Sequence, residues 1–175
     1  LYLFDNKGKE LKQLTKGNFE VIEVLGFNTA DKSIVFQSNQ NNPIQYSHFS
    51  VNVNSGKVLC LDNAEGTHYA TLSANGKFLA DRWSSPKTFR QYDLVSTSKK
   101  HITKLHADGD PWTAYNVPEI SSGSIKAADG TTDLYYRLVK PVDFDPAKKY
   151  PTVVYVYGGP HAHNVEAAWN YLARP

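Results

Sequence analysis

The chain contains no methionine and a single cysteine among its 175 residues. One cysteine excludes an internal disulfide, so the fold must hold by packing and hydrogen bonding. Cys60 lies within Val58-Leu59-Cys60-Leu61 and reads as a small buried apolar side chain. No apolar run approaches the ~18 residues of a membrane-spanning helix, and no signal-peptide pattern is visible. Charge of one sign is not in excess either, because 19 Lys and Arg stand against 17 Asp and Glu, a net charge of +2. The densest basic run, Lys99-Lys100-His101, has no interleaved aromatics and reads as a solvated loop rather than a nucleic-acid surface. What remains is a globular composition, 41% hydrophobic and 21% charged, long enough for one domain or parts of two.

What is present is β-structure, and it repeats. Residues 1–105 hold short aromatic or β-branched segments separated by Asn-Gly, Asp-Lys and Ser-Gly turns. Gly8-Lys9 recurs as Gly56-Lys57, a separation of 56 − 8 = 48 residues. Asp31-Lys32 with Ile34-Val35-Phe36 recurs as Gly76-Lys77 with Phe78-Leu79-Ala80, with 77 − 32 = 45. A third start appears at Arg90-Gln91-Tyr92-Asp93-Leu94. Repeats of roughly 40–50 residues, each with several short strands, are the mark of propeller blades. A β-sandwich also uses short strands but seldom repeats at a fixed period. The prediction is about two four-stranded blades, with hairpin turns at Asn54-Ser55-Gly56 and Asn75-Gly76, the latter of type I′.

Residues 106–118 read as a linker. His106-Ala107-Asp108-Gly109-Asp110-Pro111 is a breaker cluster, and Asp110 is placed to cap a short helix. From residue 119 strands resume: Ser124-Ile125-Lys126, a turn at Asp129-Gly130, then Leu134 to Val139. A helix is expected over Val165–Ala173, capped by Asn164.

One stretch stands out: Tyr150-Pro151-Thr152-Val153-Val154-Tyr155-Val156-Tyr157-Gly158-Gly159-Pro160-His161. Val153 to Tyr157 are all β-branched or aromatic, which suits a strand covered on both faces, as in a parallel sheet. Two glycines then permit close backbone approach, and Pro160 ends the ladder. Ligands of open α/β sheets bind just past such strand ends. From the residues alone, Tyr157 is either a hydrogen-bond donor there or a packing ring.

These residues resemble the start of the catalytic domain in the prolyl oligopeptidase family of serine peptidases, closest to its dipeptidyl peptidase IV branch. Thr15-Lys16-Gly17-Asn18-Phe19-Glu20-Val21 is similar to a Thr-x-Gly-x-Trp-Glu-Val segment of that branch, with Phe19 in place of tryptophan. Lys126 to Pro141 resembles the entry strands of its hydrolase domain, and Phe144-Asp145-Pro146-Ala147-Lys148-Lys149 resembles its lead-in to the Tyr-Pro. The resemblance implies a β-rich fragment: the C-terminal blades of a β-propeller (1–105), a linker (106–118), and the first strands of an α/β-hydrolase domain (119–175). It implies that Tyr157 is an oxyanion-hole donor. The implied activity is that of a serine exopeptidase releasing short N-terminal peptides after Pro or Ala, with no cofactor. The alternatives are an endopeptidase or acylaminoacyl peptidase of the same superfamily, or a non-catalytic propeller interaction module. Expected partners are peptide substrates, the remainder of the same polypeptide, and a second copy in a homo-oligomer, with neither nucleic acid nor membrane. A secreted or periplasmic setting is the one the resemblance favours.

No glycine has a serine two positions later, so the G-x-S-x-G elbow of such hydrolases is not in this sequence. The expectation is an internal piece of a larger enzyme, inactive alone and prone to associate through open sheet edges. No metal site is read from the sequence. His161, His163 and Glu166 lie near one loop but read as neither ligands nor catalytic bases, and His48, His68, His101 and His106 read as structural or exposed.

Overall fold

The computed structural model describes residues 1–98, 102–159 and 163–169. Among these the regular structure is all strand. The elements are β1 (Tyr2–Phe4), β2 (Glu10–Gln13), β3 (Val21–Asn28), β4 (Ser33–Ser38), β5 (Ser47–Asn52) and β6 (Val58–Cys60). They continue with β7 (Thr67–Leu72), β8 (Phe78–Ser85), β9 (Thr88–Ser96), β10 (Ile102–Ala107), β11 (Ile120–Lys126) and β12 (Asp133–Val139). Strands β3 to β6 form one antiparallel meander and β7 to β10 a second; β1–β2 and β11–β12 are two-stranded hairpins. Each strand pairs with its neighbour in sequence, which short connections allow only in antiparallel sheets. β4 begins at Ser33 and β8 at Phe78, so the blade period is 78 − 33 = 45 residues, the spacing of the sequence repeat.

The central meander is covered on both faces. Side chains alternate across a strand. On one face Phe36 stacks on its cross-strand partner Phe49, with ring centroids 5.7 Å apart, and packs with Val51 against Leu14, Leu1 and Leu3 from the first hairpin and its flanks. On the other face Val35 meets Leu79 and Val95 of the second meander, with Leu61 between them. Both faces of β4 and β5 are therefore buried. The second meander shows the one-sided alternation instead: in β8, Leu79, Asp81 and Trp83 point inward while Phe78, Ala80 and Arg82 face out.

The turn between β7 and β8 corrects one expectation. Asn75 keeps a negative φ, and Gly76 alone is left-handed, at φ 71°. The amide of Gly76 donates to Ser73 O (2.8 Å), and that of Ser73 donates to Phe78 O (2.8 Å). A longer loop ending in a left-handed glycine replaces the two-residue type I′ turn. Gly76 is also a point of close approach between the two meanders, because a Cβ there would lie 2.4 Å from Phe27 O.

Beyond β10 the expectations are met less fully. Asp110 Oδ1 accepts the Trp112 amide (2.8 Å), but the chain then makes a turn at 111–114 rather than a helix. β11 and β12 pair in uninterrupted register from Ile120↔Val139 to Lys126↔Asp133. The covered strand expected at Val153–Tyr157 is not formed. Residues 151–158 carry no regular structure, and Val153 and Val154 are 93% and 81% exposed. A β-branched run becomes a strand only when another strand supplies ladder partners, and no described residue pairs with this one. Of the strands expected after residue 118, the described residues form one antiparallel hairpin. The helix expected at Val165–Ala173 is absent over 165–169, a bent segment that docks on the blades; its remainder lies outside the described residues. Docking takes one amide to each meander: that of Ala167 donates to Ile44 O in the β4–β5 loop (2.7 Å) and that of Trp169 to Ser84 Oγ on β8 (3.1 Å).

Candidate functional site

Tyr157 lies half-exposed on the wall of an open cleft of about 410 Å³. Its ring folds back over Gly159, where a Cβ would meet Cε1, Cζ and the hydroxyl at 2.8 Å. Any side chain at 159 would displace the ring, which gives that glycine a local reason. Tyr135 of β12 and Tyr155 share the wall with it. The blade side contributes Glu20, Asn39 and Ile44, and the docked segment contributes His163 and Asn164. His163 Nε2 lies 3.6 Å from Glu20 Oε2. Behind this rim, the Tyr69 hydroxyl donates to Glu166 Oε2 (3.0 Å), and Tyr46 packs edge-on against both Tyr69 and His163. Burial and then the Glu166 charge push both phenols up, so both remain protonated donors near neutral pH.

This cleft offers hydroxyl donors, one carboxylate and one imidazole. It holds no serine, threonine or cysteine among its described lining residues. These groups can hydrogen-bond a polar ligand. His163 and Glu166, weighed from sequence as loop groups, each have a protein partner, and neither meets the other as a metal pair would. His161 and His101 lie outside the described residues. His106 is exposed, 3.3 Å from Asp108.

A second constellation was missed from the sequence. His48 and His68, read there as structural or exposed, are both fully buried where the two meanders meet. His48 projects from β5, on the face opposite Phe49. Asp62 lies just past β6, His68 on β7 and Asp81 on β8. His68 Nδ1 is 2.7 Å from Asp81 Oδ2, and its Nε2 is 3.0 Å from Glu65 O. Asp62 Oδ2 accepts the His48 amide at 2.5 Å, and its Oδ1 accepts the Ala64 amide at 2.9 Å. Beside them, Trp83 stacks on the His68 ring and donates Nε1–H to Asp93 Oδ2 at 2.7 Å. Burial works against charge on Asp62, but the His48 imidazole 3.6 Å away, the nearby His68 and the hydrogen-bonded His48 amide hold its carboxyl below the usual range. Burial likewise works against charge on His68, yet Asp81 and then Asp62 hold its imidazole above the usual value. The sequence offered only two histidines, each set between a small hydroxyl residue and an aromatic (Ser47 and Phe49, Thr67 and Tyr69), too weak a signal to join residues from four elements.

Comparison with known proteins bears on the blades first. Residues 1–90 match the model of a family described as the dipeptidyl peptidase IV (DPP IV) N-terminal region. The chain belongs to the dipeptidyl peptidase IV family. The matched residues hold the first meander and the second as far as the start of β9. A dipeptidyl peptidase 4 of Trichophyton equinum is 33% identical over 179 aligned residues, covering 98% of this chain and 23% of the relative. A solved structure described as a dipeptidyl aminopeptidase IV, from Bacteroides ovatus, is 46% identical with a TM-score of 0.80, covering 91% of this chain and 23% of that one. Dipeptidyl peptidase 4 of Porphyromonas gingivalis is 26% identical with a TM-score of 0.83, covering 97% and 24%. The chain thus spans about a quarter of the length of these DPP IV relatives.

Proposed function

We propose that this chain is part of a serine exopeptidase that releases short N-terminal peptides after proline or alanine, and that it supplies one catalytic group, the Tyr157 hydroxyl. In this reading residues 1–105 are propeller blades that restrict access, 106–118 connect, and 119–175 open the catalytic domain. The nucleophile, acid and base are not among these residues, so the 175-residue chain alone is inactive.

The observation that carries the proposal is the position of Tyr157 on the cleft wall, with its ring held over Gly159. Attack on a peptide carbonyl places negative charge on its oxygen. A preorganised donor aimed at that oxygen contributes a factor of about 10²–10³. A phenol serves well, since it stays protonated with a pKa near ~10. The second donor in such sites is commonly the backbone N–H after the nucleophile. Likeness to proteins named dipeptidyl peptidase 4 favours the exopeptidase reading over an endopeptidase or an interaction module.

The test is Tyr157→Phe in the full-length enzyme, which keeps the ring and removes the donor. The expected result is a fall in kcat by about 10²–10³ with KM within a few fold, because the bond is made chiefly in the transition state. An unchanged kcat would leave Tyr157 as a packing residue.

A further inference from the structure

The buried centre between the meanders contains a group that its protein neighbours do not satisfy. Neither ring nitrogen of His48 has a hydrogen-bond partner among the described residues, and Asp81 Oδ1 has none. The His48 side chain is fully buried, so bulk solvent does not reach it. Leaving a buried polar group unmade costs about 1–3 kcal/mol, and more when it is charged. An unpartnered histidine facing two carboxylates is therefore an unfinished site.

We propose that His48, Asp62, His68 and Asp81 form a divalent-cation site, with zinc the fitting ion, that fastens the two blades together. Ligand atoms of His48, Asp62 and His68 all lie within 4.8 Å of one another, and the Asp81 carboxylate borders both histidines. His48 Nδ1 lies 3.6 Å from Asp62 Oδ2 and 3.8 Å from Asp81 Oδ1. His68 Nδ1 lies 3.8 Å from Asp62 Oδ2. Zinc binds histidine nitrogen and carboxylate oxygen at about 2.0–2.2 Å, so the edges of a tetrahedral site measure roughly 3.3–3.5 Å. These three separations need to shrink by only a few tenths of an ångström. The fourth, His68 Nδ1 to Asp81 at 2.7 Å, is a hydrogen bond that opens when the proton between them leaves and the metal takes its place.

Three further features fit. His68 Nε2 lies within hydrogen-bond distance of a backbone carbonyl, Glu65 O, the arrangement that fixes a histidine's tautomer and leaves its other nitrogen to ligate. Asp62 and the unpartnered Asp81 Oδ1 face the same point from opposite blades. Charge also balances. Two carboxylates around neutral imidazoles carry two negative charges, which a divalent cation cancels, whereas a single imidazolium leaves one uncancelled in a dry interior. Two nitrogens with two oxygens suit zinc better than calcium or magnesium, which take mainly oxygen ligands. Because all four residues are buried, the ion enters during folding or when the blades part.

The test uses the whole 175-residue chain, unfolded and refolded with zinc or with EDTA, then gel-filtered. One zinc per chain is expected, with a thermal midpoint raised by about 5–10 °C at a hundredfold excess over the dissociation constant. His48→Gln is expected to abolish both. Cobalt(II) on the unsubstituted chain tests the geometry whether or not the variant folds. Visible bands of tetrahedral intensity without a thiolate charge-transfer band are expected, since Cys60 lies beside Asp62 but outside the donor set. Refolded chain without metal, metal held equally by His48→Gln, octahedral cobalt bands, or a thiolate band would each overturn the proposal.

Discussion

The blade region and the region after it differ in how their strands are completed. β4 and β5 have neighbours on both edges and packed layers on both faces. Among the described residues β11 and β12 have only each other, with Ile125, Leu134 and Tyr136 exposed. Both regions are rich in β-branched and aromatic residues, so the difference is not one of strand propensity. It lies in what else is available to cover them. Strand propensity measures how well a side chain fits a half-buried pleated surface, and that surface must come from other segments.

Truncating a side chain breaks the comparison most sharply. Phe36→Ala removes a fully buried ring packed between hairpin and sheet, and the expected cost is about 3–5 kcal/mol. Leu134→Ala on β12 takes away a half-exposed side chain and should cost less than about 1 kcal/mol. Urea denaturation of both variants reads the difference. Equal losses would mean that the β11–β12 hairpin is covered in solution.

The turn glycines come next. Gly76 and Gly130 have nearly the same left-handed φ, 71° and 70°, so alanine meets the same backbone strain at both. That strain is about 1–3 kcal/mol. Only at Gly76 does the added methyl also strike backbone, at Phe27 O and the Asn28 Cα. Gly130 has nothing within 4 Å. Gly76→Ala should therefore lower the thermal midpoint clearly more than Gly130→Ala, and an equal drop would place the inter-blade contact elsewhere.

Much of the blade region was legible because its signals are local. The 45-residue spacing, the turn at Gly76 and the alternating burial of β8 come from residues near one another in sequence. The covered strand at Val153–Tyr157 was misjudged because a continuous apolar run reports a need for cover, not its presence. The His48–Asp62–His68–Asp81 centre was hidden for the opposite reason. Its members come from β5, the loop after β6, β7 and β8, and only the stacking of two meanders brings them together. Tyr157 was singled out through a motif of consecutive residues, and the structure puts it on a cleft wall.

A smaller effect separates the two regions by pH in the metal-free chain. The folded value of Asp62 is depressed, so its contribution is present above about pH 4 and lost as pH falls through the folded value. The folded value of His68 is raised, so its contribution is full below about pH 6.5 and lost as pH rises through the folded value. His48, Asp81 and Asp93 face the same centre. In EDTA, stability should therefore peak between about pH 4 and 6.5 and decline toward pH 8.5. His68→Gln should flatten the alkaline decline. A decline of the same size in that variant would assign it to another group.

The smallest expected effect falls on the uncovered run. Val154→Thr exchanges a methyl for a hydroxyl on a side chain that is 81% exposed. Surface changes of this kind stay within about 0.5 kcal/mol. The same exchange at Val35, which is fully buried between the blades, leaves a hydroxyl in an apolar cluster and should cost more than 1 kcal/mol, since an unpaired buried hydroxyl costs about 1–3 kcal/mol. The pair is best measured across protein concentrations, because an exposed run of Val, Val, Tyr and Val favours association between copies. If Val154→Thr costs little at every concentration, the run is uncovered in the isolated chain. A cost that appears only at high concentration locates a self-association surface at residues 153–157. A cost at all concentrations means that the run packs within its own chain, and the contrast between the two regions then disappears at this point.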